Sequence, residues 1–458
     1  MTTVDRNRAS DSIAQVKASL WLMNSVIAAL RYDRDAGTSP LRGQSVTFFP
    51  GTIGRVLELR RRRVHAKLAA APGVRRIRRP VTPQGRDEFD LYYVRSGPRS
   101  GRPVVIIPGG PGMASIAAYR GLRNRAAAAG IEVIMVEHRG VGMSRRCDSG
   151  GDLPGEALTI TGVVDDVAAV LDDAGVEQAT VYGASYGSYL AAGVGIRHPG
   201  RVSAMVLDSP LLGSADLEYV RRNVRELLWD DDGDLADKVH RLVESATLTP
   251  TDLTIAAAIY GVGGSELLGR HFDLLLARRR AMWTAIRGIA IYGGRRTTPF
   301  HNEPDLVGAI GFRELNFAGT PDGLPLDPAL TWREVPGFDI PFEGEPFDLV
   351  AEMPRFGWPT AIVSGGRDLV TPPVVADRIA ELVPNAALVR LPTAGHSMLD
   401  TRERAALRVM ADVAGQRAVA LPASGAELDA LPAGRTAVLM GVALTAAARI
   451  GAVLPRST

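Results

Sequence analysis

Cysteine is nearly absent: Cys147 is the only one in 458 residues. A single thiol excludes an intrachain disulfide and any multi-thiolate metal site. Its setting, the arginine-rich MSRRCDSG, supplies no histidine to activate it. A reducing, cytoplasmic location is the expectation. Strong charge of one sign is also missing, since the net charge is only +3. The basic residues concentrate between 55 and 79, where nine Arg and one Lys stand against one Glu, so the rest of the chain is mildly acidic. That balance argues against a dedicated nucleic-acid binder, and the arginine run reads as a solvated or acid-paired helix face.

Long apolar runs are scarce as well. Near the start, Ile13, Val16, Leu20, Met23, Ile27 and Leu30 recur at steps of three and four, which predicts an amphipathic helix. Its uninterrupted apolar part, 18–30, is too short to span a bilayer and lacks the cationic start and cleavage site of a secretory signal. The stretch 436–455 reaches spanning length only if Arg449 lies inside it. Both terminal stretches are therefore read as helices packed on the body or lying in a membrane surface, so peripheral membrane contact through them is expected.

What is present is a globular composition, 46% hydrophobic and 22% charged. A helical, basic extension is expected over 1–80. Beyond Pro80, short β-branched runs alternate with helical ones and each ends in a glycine-bearing turn, the pattern of a parallel sheet with crossover helices. Strands are predicted at 89–94, 103–108, 131–137, 179–183, 202–208, 360–365 and 387–392. Valines 163, 164, 167 and 170 with Leu171 share one face of a helix that Gly175 stops. The rhythm breaks between about 211 and 355, where charge-laced helical sequence predicts a cap inserted over a site. The expected units are thus a core in two parts, 81–210 and 356–415, a helical cap over 211–355, and an apolar tail over 416–458.

The chemistry centres on VYGASYGSYL, residues 181–190, where Ser185 stands between Gly183 and Gly187 at a strand-to-helix junction. A lone Gly-x-Ser-x-Gly is a weak signal. A strand before it, two glycines that remove colliding Cβ atoms and a helix N-terminus after it point to an exposed nucleophile. Serine needs a base, and of the seven histidines only His396, in LPTAGHSML, sits in a short loop after a late strand. His138 precedes the serine and reads as a support for its loop. Asp368, in SGGRDLVTPP, lies 28 residues before His396 and is the candidate to orient it; Asp208, at the end of VSAMVLD, is the competitor. Donors for an oxyanion are expected from the amides of Gly110, in IIPGGPG, and of Tyr186, with Gly109 the rival to Gly110.

The set GGPG, EHRGVGMS, GASYGSYL, GRDLVTPP and AGHS resembles the α/β-hydrolase superfamily and, within it, the proline iminopeptidase and tripeptidyl aminopeptidase group of serine peptidases. The resemblance covers roughly residues 85–210 and 355–415. It implies an α/β-hydrolase fold, a mostly parallel sheet with flanking helices and a helical cap. It also implies a Ser185–His396–Asp368 triad working through an acyl-enzyme on a small-molecule or short-peptide substrate, without a cofactor or metal. Two positions depart from the group: Pro108 replaces the histidine before Gly-Gly-Pro-Gly, and Glu137 replaces the aspartate of the Arg-Gly segment. An aminopeptidase needs an anion for the substrate's free amine, and the resemblance implies a cap carboxylate, Glu314 in AIGFRELNF, with Glu303 the second candidate. Phe312, Phe317 and Trp283 are candidates to line an apolar pocket. The alternatives are a carboxylic ester or lactone hydrolase, which needs the same triad without the amine-binding acid, and a non-catalytic hydrolase-like binding protein.

Overall fold

A computed structural model describes residues 50–295, 297–333 and 340–456. The helical stripe anticipated between Ile13 and Leu30 lies outside the described residues. Eight strands form one sheet: β1 (Val74–Pro80), β2 (Glu88–Ser96), β3 (Val104–Ile107), β4 (Val133–Val136), β5 (Ala179–Ala184), β6 (Val202–Asp208), β7 (Thr360–Gly365) and β8 (Ala386–Leu391). Their order is β1-β2-β4-β3-β5-β6-β7-β8, antiparallel at the β1–β2 and β2–β4 pairs and parallel from β4 onward.

Period-two alternation sends neighbouring residues of each central strand to opposite faces. Val105, Ile107, Val181, Leu207 and Ile362 enter one core, while Val104, Ile106, Tyr182, Val206 and Val363 enter the other. The helices before the cap are α1 (Pro50–Ala69), α2 (Arg120–Ala128), α3 (Ile160–Asp173) and α4 (Tyr186–Arg197). The first core packs against α3 through Val163, Val164 and Val167, and against α4 through Tyr189 and Leu190. The predicted valine stripe is thus the buried face of α3, whose N-terminus is capped by the Thr159 side chain accepting from the Gly162 amide.

The segment between β6 and β7 is helical throughout its described elements: α5 (Asp216–Leu228), α6 (Asp234–Glu244), α7 (Asp252–Leu276), α8 (Ala281–Arg295), α9 (Pro304–Leu315), α10 (Pro328–Arg333) and α11 (Leu349–Glu352). These helices have their own core, built around Val224, Val239, Ile259 and Phe272. After β7 come α12 (Pro373–Leu382), α13 (Met398–Thr401), α14 (Glu403–Ala414), α15 (Gly425–Ala430) and α16 (Arg435–Val453). Leu444 of α16 belongs to the cap's core, so the C-terminal helix is structurally part of the cap.

The basic segment 55–79 differs from its reading as one helical extension. It breaks at Gly73, whose φ of +79° and close approach to the Arg95 carbonyl exclude a side chain, and continues as the edge strand β1. Two arginine pairs, 75/76 and 78/79, suit an edge strand here because carboxylates face both sides of it: Arg78 bonds Asp90 on the neighbouring strand, and Arg79 reaches the buried Asp166 of α3. The arginine run is thus divided between α1, where Arg61 and Arg62 pair with Glu303 and Glu58, and β1, where Arg76, Arg78 and Arg79 pair with acids.

The tightest backbone crossing lies at the β5–α4 turn. A Cβ on Gly183 would lie 2.1 Å from the Gly187 carbonyl oxygen, and one on Gly187 would lie 2.2 Å from that of Ile107. Neither backbone partner can swing aside. Gly187→Ala is expected to lower stability by about 3 kcal/mol through this overpacking, measured by denaturant unfolding; an unchanged midpoint would contradict the crossing.

Candidate active site

Ser185 occupies the turn at that crossing, with φ 52° and ψ −125°, a conformation that a residue with a Cβ adopts only when the surroundings enforce it. Its amide donates to the Asp208 carbonyl at 2.8 Å, and its own carbonyl accepts from the Ser188 amide at 2.8 Å. The turn lifts the hydroxyl off the end of β5 into a cavity beneath the cap.

His396 lies in the loop between β8 and α13. Its Nε2 is 2.9 Å from Ser185 Oγ, and its Nδ1 is 2.9 Å from Asp368 Oδ2. The carboxylate against Nδ1 keeps the proton on that nitrogen and leaves Nε2 to accept from the serine hydroxyl. Asp368 is buried in the loop after β7 and accepts from the Val370 and Thr371 amides and the Thr371 hydroxyl. Burial alone would raise its pKa, but the His396 charge and these donors outweigh burial and hold it below the ordinary carboxylate value. For His396, burial alone would lower the pKa, and the Asp368 carboxylate overrides that and raises it.

Asp208, the competing acid, makes no bond to the imidazole. Its Oδ1 accepts from the Met398 amide at 2.9 Å, and its Oδ2 accepts from the Leu399 amide and the Tyr182 hydroxyl, both at 2.8 Å. Burial pushes its pKa up to about 6. It anchors the chain just after His396.

On the oxyanion side, Gly109 and Gly110 line the cavity with Ser185. Gly109 is the nearer glycine: a Cβ on it would lie 3.2 Å from Ser185 Cβ. Gly110 has φ +136°. Tyr186 opens α4, where first-turn amides have no acceptor within the helix. Behind this turn the buried Glu137 accepts from the Ser115, Ile116 and Met143 amides, tying the glycine turn to the Arg-Gly segment. His138 supports the ring of Tyr186, with Nε2 3.3 Å from the phenolic oxygen, and burial pushes its pKa down to about 4.

Both cap acids are engaged with neighbouring groups away from the cavity wall. Glu314 accepts from the Ile160 amide at 2.9 Å and pairs with Arg313 at 2.8 Å, at the start of α3. Glu303, fully buried, takes Arg61 at 2.8 Å and the Gly142 and Phe300 amides, each at 2.9 Å. Neither lines the cavity. The sequence places an acid on a helix but does not say which way it faces, and these two face the core and fasten the cap to it. Of the three aromatic candidates, Phe317 lines the cavity; Phe312 does not, and Trp283 lies in the cap core with its indole N–H on Asp252.

The cavity has a volume of about 770 Å³ and is mainly apolar. Ser185 and His396 open into it, and Leu211, Val220, Leu253 and Val262 form much of its wall, with Ala437 and Met440 of α16 closing another side. Asp216 also lines it and was not anticipated. Its Oδ2 accepts from the Leu212 and Gly213 amides, while its buried Oδ1 has no hydrogen-bond partner. Burial raises its pKa to about 6. An acid in the first turn of a helix is common as a partner of the helix dipole, so sequence alone gave no reason to single it out. Among the described residues, no group of three or more His, Cys, Asp or Glu side chains could hold a metal ion.

The fold is that of the α/β-hydrolases, and the family model described as "alpha/beta hydrolase fold" matches residues 102–243. Among curated proteins the likeness is to proline iminopeptidases. A probable proline iminopeptidase of Streptomyces coelicolor is 28% identical over 173 residues, 35% of this chain and 53% of that protein. One of Leptolyngbya boryana is 24% identical over 317 residues, 68% of this chain and 86% of that protein. The first match thus spans about half the relative's length. Among solved structures, a proline iminopeptidase of Mycobacterium smegmatis covers 76% of this chain and 99% of its own, at 18% identity and a TM-score of 0.47. The chain thus has the α/β-hydrolase fold and resembles the proline iminopeptidase group.

The raised His396 pKa carries a pH consequence. Only the neutral imidazole can take a proton, so hydrolysis is expected to fall as pH drops through a value above the ordinary imidazole range. In Asp368→Asn the charge that raises it is gone, so the acidic limb of kcat/KM should move down and kcat should fall by about 10⁴-fold. A limb that does not move would show that Asp368 does not set the imidazole's protonation.

Proposed function

We propose that this chain is a serine hydrolase of the aminopeptidase kind, releasing an N-terminal residue from a short peptide or amide. The observation that carries the serine chemistry is the Ser185–His396–Asp368 row, two contacts of 2.9 Å opening into a cap-covered cavity. Ser185 Oγ attacks the carbonyl carbon as His396 Nε2 takes its proton, and the carbonyl oxygen becomes an oxyanion received by the Tyr186 amide and the Gly109–Gly110 turn. The intermediate collapses, the C–N bond breaks and His396 returns the proton to the leaving nitrogen. Water, deprotonated by His396, then cleaves the acyl–Ser185 ester, and its proton passes back to Ser185.

The aminopeptidase reading draws support from the curated likeness to proline iminopeptidases and from Asp216. With Glu314 and Glu303 engaged elsewhere, Asp216 is a cavity-lining carboxylate whose buried Oδ1 has no hydrogen-bond partner, and a small shift of that side chain would offer it to an ammonium group. A second reading, hydrolysis of a carboxylic ester, is favoured by the apolar character of the rest of the cavity. It requires no counter-ion.

The test compares proline anilide with a free amine, the same anilide N-acetylated and a short-chain nitrophenyl ester. Ser185→Ala should lower every rate by at least about 10⁴-fold. The free amine should be preferred, and Asp216→Asn should raise its KM while leaving ester hydrolysis near the wild-type rate. Because the Asp216 carboxyl neutralises as pH falls through about 6, KM for the free-amine substrate should climb below that pH. Rapid ester turnover with both anilides untouched would replace the aminopeptidase with an esterase.

A further inference from the structure

Helix α16 inverts the usual pattern of a surface helix. Its inner side, Leu444, Ala447, Ala448 and Gly451, is buried, and Gly451 lies so close to α7 that a Cβ there would meet Leu274 Cδ1 at 2.6 Å. The contact is fixed by polar bonds: His271 Nε2 lies 3.1 Å from the Leu444 carbonyl oxygen, and Arg279 donates to the carbonyls of Ala452 and Leu454 at the helix end. The outer side should then be polar, yet it presents Leu439, Val442, Ala443, Ala446, Ile450 and Val453, with Val442 62% and Val453 82% exposed. Among the described residues this is the one helix long and apolar enough to cross a membrane. Its side-on attachment to α7 leaves the outer stripe alone free to meet an apolar phase.

The charge on this segment has one sign. Arg435, Arg449 and Arg456 are exposed, and residues 430–456 include no Asp or Glu. An apolar stripe with cations and no anions complements a bilayer that carries negative headgroups. The stripe also reaches the site: Val438, next to Leu439, is half exposed and lines the cavity, as does the half-exposed Val370. We propose that the outer face of α16 lies in the surface of an anionic membrane and holds the cavity mouth at the lipid boundary. This does not depend on whether the substrate is a peptide or an ester.

The full-length protein is mixed with vesicles of phosphatidylcholine and with vesicles in which phosphatidylglycerol replaces part of it, and the bound fraction is read by sedimentation. The wild type should bind the anionic vesicles more strongly, and added salt should weaken that binding. Val442→Glu combined with Ile450→Glu should reduce binding at least about tenfold, with an unchanged melting temperature showing that the fold is intact. Arg449→Gln with Arg456→Gln, which leaves the apolar stripe whole, should weaken binding to the anionic vesicles alone. A wild type that stays in the supernatant with both vesicle types overturns the proposal, as does a Val442→Glu/Ile450→Glu variant that binds like wild type. Light scattering that finds a dimer, dispersed by those substitutions without any lipid binding, would assign the face to a second copy instead.

Discussion

The end of β6 is the point at which the parts of the site meet. The Asp208 carbonyl accepts the amide of Ser185, and the Asp208 carboxylate accepts the amides of Met398 and Leu399 just beyond His396. One residue thus fixes the turn that raises the serine and the loop that aims the imidazole, although it touches neither reacting atom. Ser209 extends the junction by accepting from the Ser397 amide. A buried carboxylate costs free energy to desolvate, and here three donors offset part of that, leaving the pKa raised to about 6. The strain at Ser185 is tolerated because this junction and the two glycine crossings leave the backbone no other path.

Charge pairs fix the position of the cap. Arg61 of α1 and the amides of Gly142 and Phe300 converge on Glu303, and Arg145 pairs with Asp305 at 2.8 Å at the start of α9. The buried Glu303 pair gives little net stabilisation compared with apolar packing, but losing Arg61 would strand its carboxylate. The charge pairs set where the cap sits, while the apolar contacts supply most of the free energy of burial.

Much of this was legible in the sequence where the signal is local. The seven strands expected from β-branched runs all occur, because a strand buried on both faces must be apolar along its length. Ser185, Asp368 and His396 could be placed because each follows a strand end in a glycine-bearing turn, and those turns are where the sheet presents side chains. β1 was missed because its arginines hide the alternation, which becomes intelligible only once the carboxylates across from it are known. The partners of Glu314 and Glu303, and the place of Asp216 on the cavity wall, were not legible for one reason: the direction a cap side chain faces depends on how helices pack over a distance, and spacing along the chain does not encode it.

The C-terminal helix contributes to the cavity from the far end of the chain. Ala433, Ala437, Met440 and Gly441 line the same space as Ser185, which lies some 250 residues earlier in the sequence. During synthesis the sheet and the serine turn can form while this wall has yet to leave the ribosome, so the reactive hydroxyl is assembled before its enclosure. The pocket therefore closes only once residues 433–441 are in place, and a cut before residue 433 would leave the serine turn at an open face.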